Sequence, residues 1–253
     1  MKAIILAAGV GKRLGQYTNE PKCLLQIDGE TLLRRYMRVL DAFNVRDIIL
    51  VAGYKHEKLE TEVKESGFGD RVKIVVNPDF EEGSILSLWH ARKELNDDVL
   101  IMDADVYFVE EILDMIFSSP KKDFFLLDTT SINDGEAVMV GFDGDRAVAQ
   151  ARGLKGNFTV LGEMVGFTRL SAAVADKMSS LLERKVEEGE RNIGYEFLFS
   201  EMFDVCPISY VAVDGLKWVE IDFPEDVLTA QGLAAEKKGA SSHGVKHKTE
   251  HTS

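Results

Sequence analysis

Lys12 and Arg13 stand side by side in a loop of small residues, and a third cation, Lys22, follows after a short connection. The apolar run Ala3–Ala7 ahead of them reads as a buried strand. Leu6, Ala7, Ala8, Gly9 and Gly11 carry the chain from that strand into the loop. Small residues let a main chain lie close to a ligand, and successive N–H groups in a Gly-rich turn can cradle an anion. Three cations at such a turn would neutralise a polyphosphate. The spacing differs from two other phosphate loops. Gly11-Lys12 is followed by Arg13 rather than Ser or Thr, so it is not a P-loop. After Gly9 and Gly11 the third glycine of a dinucleotide fingerprint would fall at Leu14, and Gly15 comes one place late. On residue types alone, a plain strand-to-helix turn with solvated cations stays open.

Two acidic patterns could hold the divalent cation that accompanies a triphosphate. Asp103-Ala104-Asp105 closes the apolar run Val99–Met102, and Glu220-Ile221-Asp222 closes another run that starts at Trp218. A hard cation of this kind takes carboxylate oxygens, phosphate oxygens and water. Along a strand, Asp103 and Asp105 would share one face, as would Glu220 and Asp222. Solvated strand ends are the plainer alternative. The stretch from Asn77 to Trp89 combines a turn, an acidic loop and a Gly83-Ser84 entry to a helix, with Ser84 as the expected N-cap.

These residues need a scaffold, and the first half of the chain supplies an alternation of strand and helix patterns. Strands are expected at Ala3–Ala7, 47–52, 72–76 and 99–102, with helices at 32–43, 55–66 and 84–95 between them. Such alternation predicts an α/β fold: an open, mostly parallel Rossmann-like sheet with helices on both faces. Ligands of these sheets sit outside the carboxyl ends of the strands, where both the Gly9–Arg13 loop and the Asp103 cluster fall. The second half predicts a hairpin about Asp143-Gly144, a strand over 161–168, helices over 171–188 and 195–203, strands over 208–213 and 218–221, and a last helix opening at Pro224. It reads as a small antiparallel lobe. One domain over 1–236 is expected, with a nucleotide-binding half (1–130) and an acceptor-binding half (131–236). The polar stretch 237–253, with His243, His247 and His251, reads as a disordered tail.

Composition narrows the partners. The 253 residues are 45% hydrophobic and carry a formal charge of −13, with no basic run long enough to grip a nucleic-acid backbone. Cys23 and Cys206 have no metal-ligand spacing and read as free thiols of a reducing compartment. The first apolar run is too short for a signal peptide, and nothing approaches the length of a membrane span. A cytoplasmic protein is expected.

The segment Leu6–Leu25, with its L-A-A-G-x-G-x-R-L and P-K-x-L patterns, resembles the signature of the nucleotidyltransferase superfamily that joins nucleoside triphosphates to phosphorylated sugars and alcohols. Gln16-Tyr17-Thr18 departs from the Pro-Leu-Thr usual in its sugar-activating members. The N-P…G-S…S-L pattern of 77–88 and the stretch Trp218–Asp226 are similar to the bacterial phosphocholine cytidylyltransferase branch and its relatives. The resemblance implies a nucleotide-diphospho-sugar transferase-like fold and a magnesium-dependent transfer from CTP to a small phosphorylated or phosphonylated alcohol. It implies that Leu6, Ala7, Ala8, Gly9, Gly11, Lys12 and Arg13, with Gly83, Ser84 and Ser87, bind the nucleotide. It makes Asp105 and Asp222 the Mg2+ ligands, with Asp103 and Glu220 behind them, and Arg13, Lys22, Asp105 and Asp222 the catalytic set. Lys22, Glu163, Trp89 and Tyr195 are the candidates on the acceptor side. Phosphocholine, aminoethylphosphonate and inositol phosphate all remain open as acceptors. The rivals are a sugar-1-phosphate nucleotidyltransferase and a non-catalytic nucleotide-binding regulator.

Overall fold

The computed structural model describes residues 1–243 apart from Gln16 and Asp134, with side chains described as far as residue 236. Four parallel strands form the heart of the sheet: β1 (Lys2–Ala7), β4 (Ile48–Ala52), β5 (Val72–Val76) and β6 (Val99–Asp103), in the order β6-β1-β4-β5. Two-residue strands β2 (Gln26–Ile27) and β3 (Glu30–Thr31) form a small separate ribbon. The crossovers carry α1 (Leu32–Ala42), α2 (His56–Glu65) and α3 (Ile85–His90). The central strands are largely apolar, with Lys2 and Asp103 only at strand ends and Lys73 on the edge strand β5, because helices cover both faces of the sheet. Alternate residues of β1 divide between those faces. Ala3, Ile5 and Ala7 pack with α1 and α2, while Ile4 and Leu6 face the α3 side.

The expected antiparallel part is present and joins the open sheet through β11. After β7 (Val106–Phe108), α4 (Glu111–Ser118) and β8 (Phe124–Asp128) come the hairpin β9 (Val138–Asp143) and β10 (Arg146–Arg152), then the long β11 (Val160–Leu170). The C-terminal end of β11 pairs antiparallel with β6, and its N-terminal end pairs with β9. An interruption in its register with β8 lies between Met164 and Thr168, where Gly166 takes a φ of +81°. An eleven-residue strand can therefore bend from one set of neighbours to the other. The chain continues through α5 (Ala172–Glu187), a 3-10 turn at Tyr195–Leu198, α6 (Phe199–Met202) and β12 (Ser209–Ala212), which pairs parallel to β8. It ends with β13 (Trp218–Glu220) and α7 (Pro224–His243). The boundary expected at Lys237 falls inside α7, and residues 244–253, with His247 and His251, lie outside the described residues.

Two differences from the sequence reading have local causes. The helix expected over 84–95 is short: α3 stops at His90 and a 3-10 turn follows at Arg92–Glu94. Ser84 holds the N-cap position but makes no side-chain capping bond, its Oγ accepting the Tyr195 N–H at 3.0 Å. The expected helix over 195–203 divides in the same way, into a 3-10 turn and one short α-helical segment.

Candidate active site

A small third core sets the site. Leu14, Leu25, Ile27, Leu32, Tyr107, Ile221 and Val227 pack together, with Leu14 directly after Arg13 and Ile221 between Glu220 and Asp222 in the chain. Burying Leu14 and Leu25 draws the loop of Arg13 and Lys22 down onto β7, β13 and α7. β13 pairs antiparallel with β7, placing Glu220 opposite Val106, and the Ile221 N–H donates to Asp105 C=O at 2.8 Å. The turn between β6 and β7 is tied from below. The buried Tyr36 hydroxyl of α1 lies 2.7 Å from both Asp103 C=O and Val106 C=O. Asp226 accepts from the N–H groups of Asp222 (3.0 Å) and Phe223 (2.7 Å), which fixes the backbone of Asp222.

The result is a convergence of residues far apart in sequence. Lys22 Nζ donates to Asp105 Oδ2 at 3.0 Å and contacts Asp222 Oδ1. Arg13 donates to Asp222 Oδ2 at 2.7 Å, and its guanidinium lies 5.3 Å from the centre of the Phe223 ring. Gly11, at φ +65°, sits directly over the Lys22 stem, and a Cβ there would lie 2.9 Å from Lys22 Cγ. Burial would lower the Lys22 pKa, but Asp105 and Asp222 outweigh it and hold the ammonium above the ordinary lysine value. Burial likewise opposes ionisation of Asp222, and Lys22 and Arg13 overrule it, keeping that carboxyl below its usual range.

Asp105, Glu220 and Asp222 present one oxygen each within 4.8 Å of one another. Glu220 belongs to this group, while Asp103 does not. The strand alternation that would pair Asp103 with Asp105 ends at Asp103, and Asp105 sits in the turn beyond it. Burial and the neighbouring Asp105 and Asp222 push Glu220 up to about 8. Asp103 accepts from the Tyr195 hydroxyl at 3.1 Å, and burial, followed by Asp105, pushes its carboxyl well above the usual range. An all-oxygen donor set of this size suits a hard divalent cation.

These groups open into a cleft of about 660 Å³ at the carboxyl ends of the parallel strands. Among the expected nucleotide residues, Leu6, Ala8, Gly9, Arg13, Ser84 and Ser87 line it. Ala7 does not, because its side chain belongs to the core on the α1 and α2 face. Lys12 is exposed beside the site. Gly11 acts through Lys22. Gly83 is required by the backbone of 191–193: its N–H donates to Arg191 C=O at 2.9 Å, and a Cβ would lie 2.3 Å from Ile193 C=O. Ser87 is buried and accepts from the Asn77 amide at 3.1 Å.

On the far side, Glu163 and Tyr195 line the cleft, and Lys22 and Trp89 are absent from its lining. Trp89 packs against the α3-side core, with the Arg92 guanidinium 4.0 Å from its ring centre. Sequence reasoning missed Glu136, Arg152 and Glu196, which line this half. Glu196 is part-buried beside Ser84, and Arg152 approaches it at 3.9 Å. The only sequence signal for Glu196 was its place directly after Tyr195. Arg152 ends an edge hairpin and carried none.

Among the described residues no helix is long and apolar enough to cross a membrane. The bifunctional IPC transferase and DIPP synthase of Thermococcus kodakarensis is 27% identical over 92% of this chain and 50% of its own length. The choline-phosphate cytidylyltransferase of Streptococcus pneumoniae is 34% identical over 44% of the chain and 48% of its own. The chain spans about half the length of these curated relatives. The inositol-1-phosphate CTP transferase of T. maritima superposes with a TM-score of 0.76 at 22% identity, over 94% of this chain and 96% of that one, and so shares the fold. The family model for the MobA-like NTP transferase domain matches residues 3–184, from the first strand to within α5. With the basic loop and the Asp105 turn both inside that span, the chain belongs to the family of MobA-like NTP transferase domains.

Proposed function

We propose that the protein is a cytidylyltransferase that joins CTP to a small phosphorylated or phosphonylated alcohol, releasing pyrophosphate. The observation that carries this reading is the meeting of Lys22 and Arg13 with Asp105 and Asp222, groups 83 to 209 residues apart, beside one cleft that Arg13, Asp105 and Asp222 line. Relatives named for IPC transfer and for choline-phosphate cytidylyl transfer support CTP and an alcohol phosphate over a sugar phosphate. An acceptor phosphate or phosphonate oxygen attacks the α-phosphorus. A new P–O bond forms, the α–β bridge breaks, and pyrophosphate carries away the electron pair. The attacking oxygen is already ionised at neutral pH, so no dedicated base is needed. The rate comes from positioning and from charge neutralisation.

Arg13 and Lys22 would hold phosphate oxygens and offset the charge that builds on the leaving group. Asp105, Asp222 and Glu220 would hold magnesium, their oxygens being close enough to share one ion. Bound there, magnesium would supply Lewis-acid charge neutralisation at phosphate oxygens. Glu163 and Glu196, with the rings of Tyr195 and Trp218, line the acceptor half. That lining suits a head group carrying an amine or ammonium. The test is pyrophosphate release from a panel of triphosphates against phosphocholine, aminoethylphosphonate, inositol phosphate and sugar 1-phosphates. CTP with an alcohol phosphate or phosphonate should dominate, and Asp105→Asn should lower turnover by about two orders of magnitude or more. Release with sugar 1-phosphates alone would replace this reading with the NDP-sugar one. Binding of CTP without release against any acceptor would point to a regulator.

A further inference from the structure

The carboxylates proposed to hold a metal are the same ones that hold the cations proposed to hold phosphate. Lys22 Nζ lies between Asp105 and Asp222, 3.0 Å from Asp105 Oδ2 and in contact with Asp222 Oδ1. The other oxygen of Asp222 accepts from Arg13 at 2.7 Å. Both oxygens of Asp222 and one of Asp105 are therefore engaged by side-chain cations. The Lys22 side chain is only 15% exposed, and its stem runs beneath the backbone of Gly11, so the ammonium is directed at this point by packing as well as by charge.

We infer that Lys22, assisted by Arg13, is an internal plug of the metal clamp, which opens only when a triphosphate gives these two cations other partners. The inference rests on the proposal that Asp105 and Asp222 are metal ligands. A magnesium-sized ion needs its carboxylate oxygens at about 2.1 Å, and an ammonium on those oxygens excludes it both by volume and by charge. Two positive charges already face the two aspartates, and of the three carboxylates only Glu220 is left without one of these cations, so a lone divalent ion gains little by entering. A triphosphate changes the balance. Its oxygens can take Lys22 and Arg13, and the carboxylates they leave can take the metal. Metal and nucleotide are then coupled reciprocally, each raising the affinity for the other. The device would keep free divalent ions out of the clamp and admit them with the nucleotide.

The experiment is titration of the full chain with Mn2+ alone, followed by electron paramagnetic resonance, in wild type, Lys22→Met and Arg13→Gln. Lys22→Met keeps the stem under Gly11 and removes the charge. It should bind Mn2+ at least tenfold more tightly than wild type, with Arg13→Gln in between. The gain should vanish in Lys22→Met/Asp105→Asn. Arg13 is half exposed, so Arg13→Gln carries the test if thermal melts show Lys22→Met to be unfolded. Equal Mn2+ affinity in wild type and the folded variants overturns the plug and leaves the metal clamp standing. So does a gain that persists in the double variant, since the ion would then be bound elsewhere. Absence of Mn2+ binding in every variant, with and without CTP, overturns the plug and the metal reading together.

Discussion

Gly11 shows how a residue without a side chain can set the chemistry of another. Its φ of +65° is one that L side chains rarely adopt, and the Lys22 stem fills the space where a Cβ would stand. Gly11→Ala should therefore cost about 1–2 kcal/mol of stability from the left-handed backbone. It should also push Lys22 off Asp105 and Asp222. A misplacement of about 1 Å at a reacting centre can cost about a hundredfold in rate, so turnover should fall well beyond what the modest drop in Tm accounts for. Steady-state kinetics alongside thermal melts separates the two effects, and wild-type turnover in Gly11→Ala would show that Lys22 does not need its present position. Glu220 makes a related point. In the sequence it stood behind the two aspartates as a second choice, yet it stands level with them in space. Strand periodicity gave no way to see this, because Asp105 and Asp222 both lie just beyond their strands.

At the scale of elements, the site depends on how β6 turns into β7. Tyr36 reaches from α1 to the carbonyls on either side of Ala104 and Asp105, and its ring meets Phe108 and Phe167 edge to face. The ring anchors the helix, and the hydroxyl ties the turn. Tyr36→Phe keeps the packing but removes the single O–H proton that the two carbonyls share, which should cost about 1–2 kcal/mol. The loosened turn should lower turnover about tenfold with little change in the size of the melting transition. If Tyr36→Phe melts lower but turns over at the wild-type rate, the turn is held by the β7–β13 pairing alone. The helix pattern of α1 was readable from Leu32 to Phe43, including Tyr36 on its apolar side. What Tyr36 bonds to was not, since its partners are backbone groups 67 and 70 residues away.

Over the whole molecule, the two edges of the parallel sheet do different work. The carboxyl edge carries the cleft. The opposite edge carries ties such as Glu94, which accepts from Lys2 at the start of β1 (2.9 Å) and from Lys73 in β5 (2.5 Å). Lys73 and Lys2 hold the Glu94 carboxyl below its usual range against the opposing effect of burial. A depressed carboxylate pKa contributes stability above the unfolded value of about 4.3 and loses it as pH falls through the folded value. Glu94→Gln should thus be less stable than wild type at pH 7 by about 1 kcal/mol, since Lys73 is largely exposed. The gap should close as the pH drops below about 4. Melts from pH 3 to 7 check the sign, and a gap that widens toward acid would contradict it. Activity should be unchanged throughout the range in which both proteins stay folded, because Glu94 lies away from the cleft lining.

The parallel strands, their helices, the basic loop and both acidic patterns could be read from the chain, because apolar runs and helical spacing report local burial and need no knowledge of distant partners. The nine-stranded sheet that absorbs the second half was not legible. One bent strand, β11, joins the two parts, and its bend depends on contacts with β6, β8 and β9 at once. Trp89 shows the limit most plainly, since an aromatic at helical spacing looks the same in sequence whether it faces a ligand or an arginine. The residue types that could do chemistry were determined locally. Which of them share a few ångströms was decided by the packing of Leu14, Leu25 and Ile221 into one small core, which brings segments about 200 residues apart to the same point.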